Sequence, residues 1–68
     1  MDRFKDHAER GKTWALETRD YWRAVLKRAE REDDSSASYL ASTQLARLDR
    51  IIELYDQVIA ARDRYNSN

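Results

Sequence analysis

Asp33-Asp34-Ser35-Ser36-Ala37-Ser38 is the one cluster of turn-forming residues in the chain, and it lies at the middle of 68 residues. Short polar side chains compete with the helical backbone for its hydrogen bonds and cap new helix starts, so this stretch reads as a turn between two helices. The flanks carry almost no other punctuation: there is no proline, and Gly11 is the only glycine. They are rich in Ala, Leu, Arg, Glu and Asp, and no segment alternates apolar with polar residues as a half-buried strand must. The expected fold is all-α, an antiparallel two-helix hairpin in one domain: a helix over about residues 3–32, a turn over about 33–37 and a helix over about 38–65. Asp2 is the expected cap of the first helix and a serine between Ser35 and Ser38 that of the second, with Asn66-Ser67-Asn68 frayed. Lys27, Arg28 and Arg31 sit near the negative C-terminal pole of the first helix.

Both helices carry a heptad seam. In the first, Phe4, Ala8, Gly11, Ala15, Thr18, Trp22, Val25 and Ala29 follow one another in alternating steps of four and three, and in the second Ala41, Leu45, Leu48, Ile52, Tyr55 and Ile59 do the same. Folding at a turn over 33–37 brings Gly11, Ala15 and Thr18 opposite Ile59, Tyr55 and Ile52, and Trp22 opposite Leu48, so small residues face large ones. Gly11 admits a second reading, in which Gly11-Lys12 closes a short helix and Thr13 caps another. The seam passes through Gly11 without a change of phase, which favours one continuous helix.

One partner helix cannot cover all the apolar surface of the second. At about 100° per residue, Ile51, Leu54, Val58 and Tyr65 form a second stripe roughly 110° from the seam. On the first helix His7, Trp14 and Tyr21 recur every seven residues on one shoulder, the one that antiparallel packing brings beside this stripe. A contiguous apolar face of this kind is a self-association surface, and the expectation is a homodimeric four-helix bundle built from two coiled-coil-like hairpins. The opposite shoulders are charged: Lys12, Arg19 and Arg23 on one helix stand beside Asp49, Glu53 and Asp56 on the other. A heteromeric assembly, with a different chain on the apolar face, is the alternative.

The composition excludes most catalytic chemistry. Without cysteine there is no thiolate nucleophile, disulfide framework or thiolate metal site, and His7 is the only histidine. Its i−4 and i+4 neighbours, Arg3 and Gly11, give it no helical metal partner, and Asp33-Asp34 lacks the spacing and glycine of a calcium loop. One glycine makes no phosphate cradle. No catalytic residue, cofactor, metal or small-molecule substrate is expected. The longest apolar run, Val58-Ile59-Ala60-Ala61, is far short of the roughly 20 residues that span a bilayer, and no apolar signal segment follows Met1. No membrane partner is expected, and a cytoplasmic setting is.

Lys and Arg total 13, Asp and Glu also 13, and the formal net charge is zero, so no broad field draws the chain to nucleic acid. Locally, Arg19, Arg23, Lys27 and Arg31 form a row of cations at successive i, i+4 positions, an arrangement that costs a few tenths of a kcal/mol per pair unless offset. Arg19 and Arg23 have the acidic ridge of the second helix; Lys27 and Arg31 have the helix end and the Glu32-Asp33-Asp34 segment. The row also offers a band for an acidic protein surface or, less favourably without interleaved aromatics, for a nucleic-acid backbone. Leu16 is expected on the outer side beside this row as an anchor for a partner. The architecture is similar to that of the small antiparallel-hairpin dimers, among them RNA-binding regulators of plasmids, in length and topology alone. The functional expectation is a non-enzymatic interaction protein of the phage or plasmid accessory or inhibitor kind, which self-associates and binds another macromolecule. A nucleic-acid-binding regulator and a structural subunit of a heteromeric assembly are the other readings.

Overall fold

The computed structural model describes residues 3–66, with side chains from Asp6 onward, as two helices: α1 (Arg3–Arg31) and α2 (Ser35–Asn66). They lie side by side as an antiparallel hairpin measuring 53 × 15 × 12 Å. The expected Asp2 cap and the Phe4 side chain fall outside the described residues and side chains. α1 is continuous through Gly11, which rules out the two-helix reading of residues 3–31. Thr13 caps nothing; its Oγ1 donates to the Glu9 carbonyl 3.0 Å away, one turn back within the same helix.

The turn is tighter than the sequence suggests. Asp33 adopts a left-handed backbone conformation, with φ of 58°. Its N–H donates to the Glu30 carbonyl at 3.3 Å, and that of Asp34 to the Ala29 carbonyl at 2.9 Å. This pair of bonds is a Schellman closure, which satisfies carbonyls at the end of α1 that would otherwise have no partner. Asp34 then starts α2, its Oδ1 accepting the Ala37 N–H at 3.1 Å. The cap of α2 is therefore Asp34 rather than a serine, α2 begins at Ser35 instead of about residue 38, and it runs on through Asn66. Two successive aspartates do both jobs because Asp tolerates the left-handed conformation better than most side chains and is also among the best N-caps.

Shortening the turn moves the register. A Cβ placed on Gly11 would overlap the Tyr55 ring, lying 2.7 Å from Cε1 and nearer still to the hydroxyl end, so Gly11 faces Tyr55 and not Ile59. Ala15 packs in turn against Leu48 and Ile52. The core is narrow: Ala8, Ala15, Ala29, Ala41, Leu48 and Ile52 are buried, and four of these six are alanines. Trp22, Leu16 and Ile51 pack against its centre while remaining half-exposed. A seam of alanines lets the helix axes approach closely, and large residues on its shoulders then reach across to the partner helix. Leu16 does this, so it is not the free outer leucine expected from its position on the helical wheel. Ile51 likewise serves the seam as well as the second apolar stripe.

Candidate functional site

The two long edges of the hairpin differ in chemistry. Along one, Lys12 Nζ lies 2.5 Å from Asp56 Oδ1 and Arg19 Nη1 lies 3.4 Å from Asp49 Oδ1, tying α1 to α2 at two levels. The expected flank is thus present, with two substitutions of partner. Arg23 turns to Asp20 on its own helix at 3.9 Å, and Glu53 pairs with Arg50 at 3.3 Å, so neither bridges the helices. Arg19 is held only in part, since its Nε is buried with no hydrogen-bond partner.

The other edge is apolar and open. Trp14 is 55% exposed, Tyr21 62%, Leu54 45% and Tyr65 74%, while Val58 and Ile51 are half-buried. Val58 is the hub of three shallow depressions: one with Ile51, Leu54 and Tyr55, one with Ala61, Arg62 and Tyr65, and one with His7, Ala8 and Tyr55. The last spans both helices and sets the α1 shoulder beside the α2 stripe. Trp14 borders a separate depression along α1 with Asp6, Glu9, Arg10, Thr13 and Glu17, and Tyr21 stacks edge-on against Trp22 with ring centres 5.3 Å apart. Arg62 lies over the Tyr65 ring at 5.5 Å, covering part of that aromatic face with a cation.

Sequence reasoning missed Leu40, which is 49% exposed. It precedes Val58 by 18 positions, five full turns at 3.6 residues per turn, and so continues the α2 stripe toward the hairpin turn. Gln44 and Arg47 interrupt the stripe between Leu40 and Ile51, which hides the continuity from a search for consecutive seam steps. Exposed Tyr39, its neighbour, points away from this stripe and joins no periodic pattern.

Of the cationic row, Arg19 and Arg23 are engaged as described, and Arg28 forms a 3.1 Å pair with Glu32 at the end of α1. Lys27 and Arg31 are exposed and make no ion pair with any described residue. The helix end therefore takes its side-chain pairing from Arg28, one position removed from the row. Among the described residues no three His, Asp or Glu side chains form a group able to hold a metal ion, and no helix is long and apolar enough to cross a membrane.

No family model, curated protein or solved structure matches this chain. Its surface must be interpreted from its own chemistry. The exposed area is 5430 Å², whereas a folded monomer of 8.1 kDa is expected to expose about 4,500 Å². The excess, roughly 900 Å², goes with the elongated 53 × 15 × 12 Å shape, which exposes more surface for its mass than a compact fold.

Proposed function

We propose that this chain is a non-enzymatic helical interaction protein of the cytoplasm, which self-associates into a four-helix bundle and acts by occupying a surface on another macromolecule. The observation that carries the reading is the open apolar edge around Val58, beside a core in which Leu48 and Ile52 are the only large buried side chains among the described residues. A two-layer hairpin covers one stripe on each helix, which leaves little burial to offset the ordering of 68 residues. Packing a second layer on the apolar edge supplies the missing burial. An accessory or inhibitor role suits a protein whose remaining outer surface is charged and mixed in sign.

For that outer contact an acidic protein surface is favoured over nucleic acid. With Arg19 and Arg23 of the row engaged, Lys27 and Arg31 are left without an ion pair to any described residue. Two cations are enough to orient one carboxylate-rich patch but too few to follow a phosphate backbone, where affinity grows with each phosphate neutralised. Light scattering coupled to gel filtration at micromolar concentration is expected to give about twice the 8.1 kDa chain mass. A monomer that unfolds cooperatively at that concentration rejects the self-association.

A further inference from the structure

The charges of α2 are sorted by sign around the apolar edge. With about 100° per residue and Val58 as the origin, Arg47, Arg50 and Arg62 fall within about 80° of it, whereas the carboxylates of α2, Asp49, Glu53, Asp56 and Asp63, all fall at about 140° or beyond. The acids thus stand on the charged edge, where Asp49 and Asp56 hold α1, and arginines line the apolar one. Arg62 shares a depression with Val58 and Tyr65 and lies over the Tyr65 ring. Arg50 reaches back to Glu53 at 3.3 Å. Arg47 is exposed and makes no ion pair with any described residue. Across the groove the α1 margin is mixed in sign, since Arg10 shares the Trp14 depression with Asp6, Glu9 and Glu17.

We infer that the apolar edge docks an amphipathic helix of another protein, one that carries carboxylates along the margins of its own apolar face; this rests on the edge being the contact surface proposed above and adds the chemistry of its occupant. Two helices side by side leave a groove along their length, and an amphipathic helix lays its apolar face into such a groove. From Arg47 to Tyr65 the stripe is about 27 Å long at 1.5 Å per residue, room for about five turns of a partner helix. Over that length the burial of Ile51, Leu54 and Val58 supplies affinity. Carboxylates set beside Arg47, Arg50 and Arg62 select the partner, because complementary charge at the margin of an interface governs specificity more than strength. An isologous contact sets a patch against its own copy, so a second copy meets these arginines with arginines, relieved only by the acids of the α1 margin. The acidic helix therefore binds more strongly and displaces it. Its sign agrees with that of the acidic surface proposed for Lys27 and Arg31.

The probe is a designed amphipathic peptide of about 18 residues, long enough to span the stripe, with leucines on one face and glutamates on both margins, together with a twin in which lysines replace the glutamates. By fluorescence anisotropy at low salt, the glutamate peptide is expected to bind at micromolar concentration and the lysine peptide about tenfold more weakly. Arg47→Glu, at an exposed position outside the seam, is expected to bring the two peptides to within about threefold of one another. Equal binding of both peptides by the unaltered chain, binding of neither, or a ratio that Arg47→Glu leaves unchanged overturns the inference. The chain is expected to stay in solution when mixed with phosphatidylserine vesicles, and sedimentation with them would assign the edge to a lipid surface instead. Light scattering separates the acidic partner from self-association. A dimer that saturating glutamate peptide leaves intact overturns the acidic partner and keeps the self-association, whereas a monomer that binds the glutamate peptide overturns self-association and keeps the acidic partner.

Discussion

The two long edges of this hairpin flank the same seam at similar heights, yet one is tied between its helices by Lys12 with Asp56 and Arg19 with Asp49, and the other gathers His7, Val58, Leu54 and Tyr65 without covering them. The difference separates two tasks that small helical proteins must both perform. Exposed ion pairs contribute little to stability, ~0–1 kcal/mol each. They do forbid a second layer on their side, because docking would strip water from charges already paired. The apolar edge has no such cost and gains about 25 cal/mol for each Å² covered. In the self-association proposed above, charge on one side directs the contact to the other.

The sharpest way to break the contrast is to put a charge on the open edge. Leu54→Arg places a cation on the apolar edge proposed as the self-association surface, where a buried unpaired charge costs several kcal/mol. Within a single hairpin the same side chain is 45% exposed and the arginine can reach water. The expected outcome is a halved mass by light scattering with helical circular dichroism retained at low temperature, and a lower thermal midpoint. An unchanged dimer mass would show that the edge is not the interface.

A smaller effect is expected in the seam between the edges. Gly11→Ala gains roughly 1 kcal/mol of helix propensity but drives a methyl group into the Tyr55 ring, and overpacking of this kind costs about 1–3 kcal/mol. The balance is a net loss of about 1 kcal/mol in urea unfolding. In a Tyr55→Leu background the ring is gone and the same substitution is expected to stabilise. A gain in the unaltered chain would mean that the ring swings aside freely and that close approach at Gly11 does not matter.

How much of this was legible beforehand can be traced residue by residue. The all-α hairpin, the seam and the chemical difference between the edges follow from spacing alone, because helical periodicity is written in every turn of both segments. The turn was located but not measured. Asp and Ser are nearly equivalent as caps, and nothing local distinguishes Asp34 from Ser35 or Ser38 as the one that starts α2. Register depends on turn length, so a helix start about three residues early shifts every facing pair by one seam step: Tyr55 moves from Ala15 to Gly11, and Ile52 from Thr18 to Ala15. The same shift explains Leu16, which reaches the core because the residue beside it on α1 is an alanine opposite Leu48 and Ile52. Side-chain pairing was the least legible, since Arg23 and Glu53 each had an alternative partner three residues away on their own helix.

The smallest effect is expected on the charged edge. Asp49→Asn together with Asp56→Asn removes both interhelical pairs while preserving side-chain volume, so packing is left intact and only the Coulombic contribution changes. Both aspartates are more than half exposed, at 62% and 53% of their side-chain surface. Screening and the entropy of holding long side chains in place then limit the loss to about 0.2–1 kcal/mol per pair. The loss should shrink further between 0.05 and 1 M salt, roughly as the Debye length falls from above 10 Å to about 3 Å. Arg19 is the residue that could raise the figure, because its Nε is buried without a partner and loses the neighbouring carboxylate as well. Urea unfolding of the two single variants distinguishes these contributions: Asp49→Asn is expected to cost more than Asp56→Asn, and neither should change the mass of the assembly. A change in mass would mean that the charged edge also takes part in association, and the division of labour between the two edges would fail.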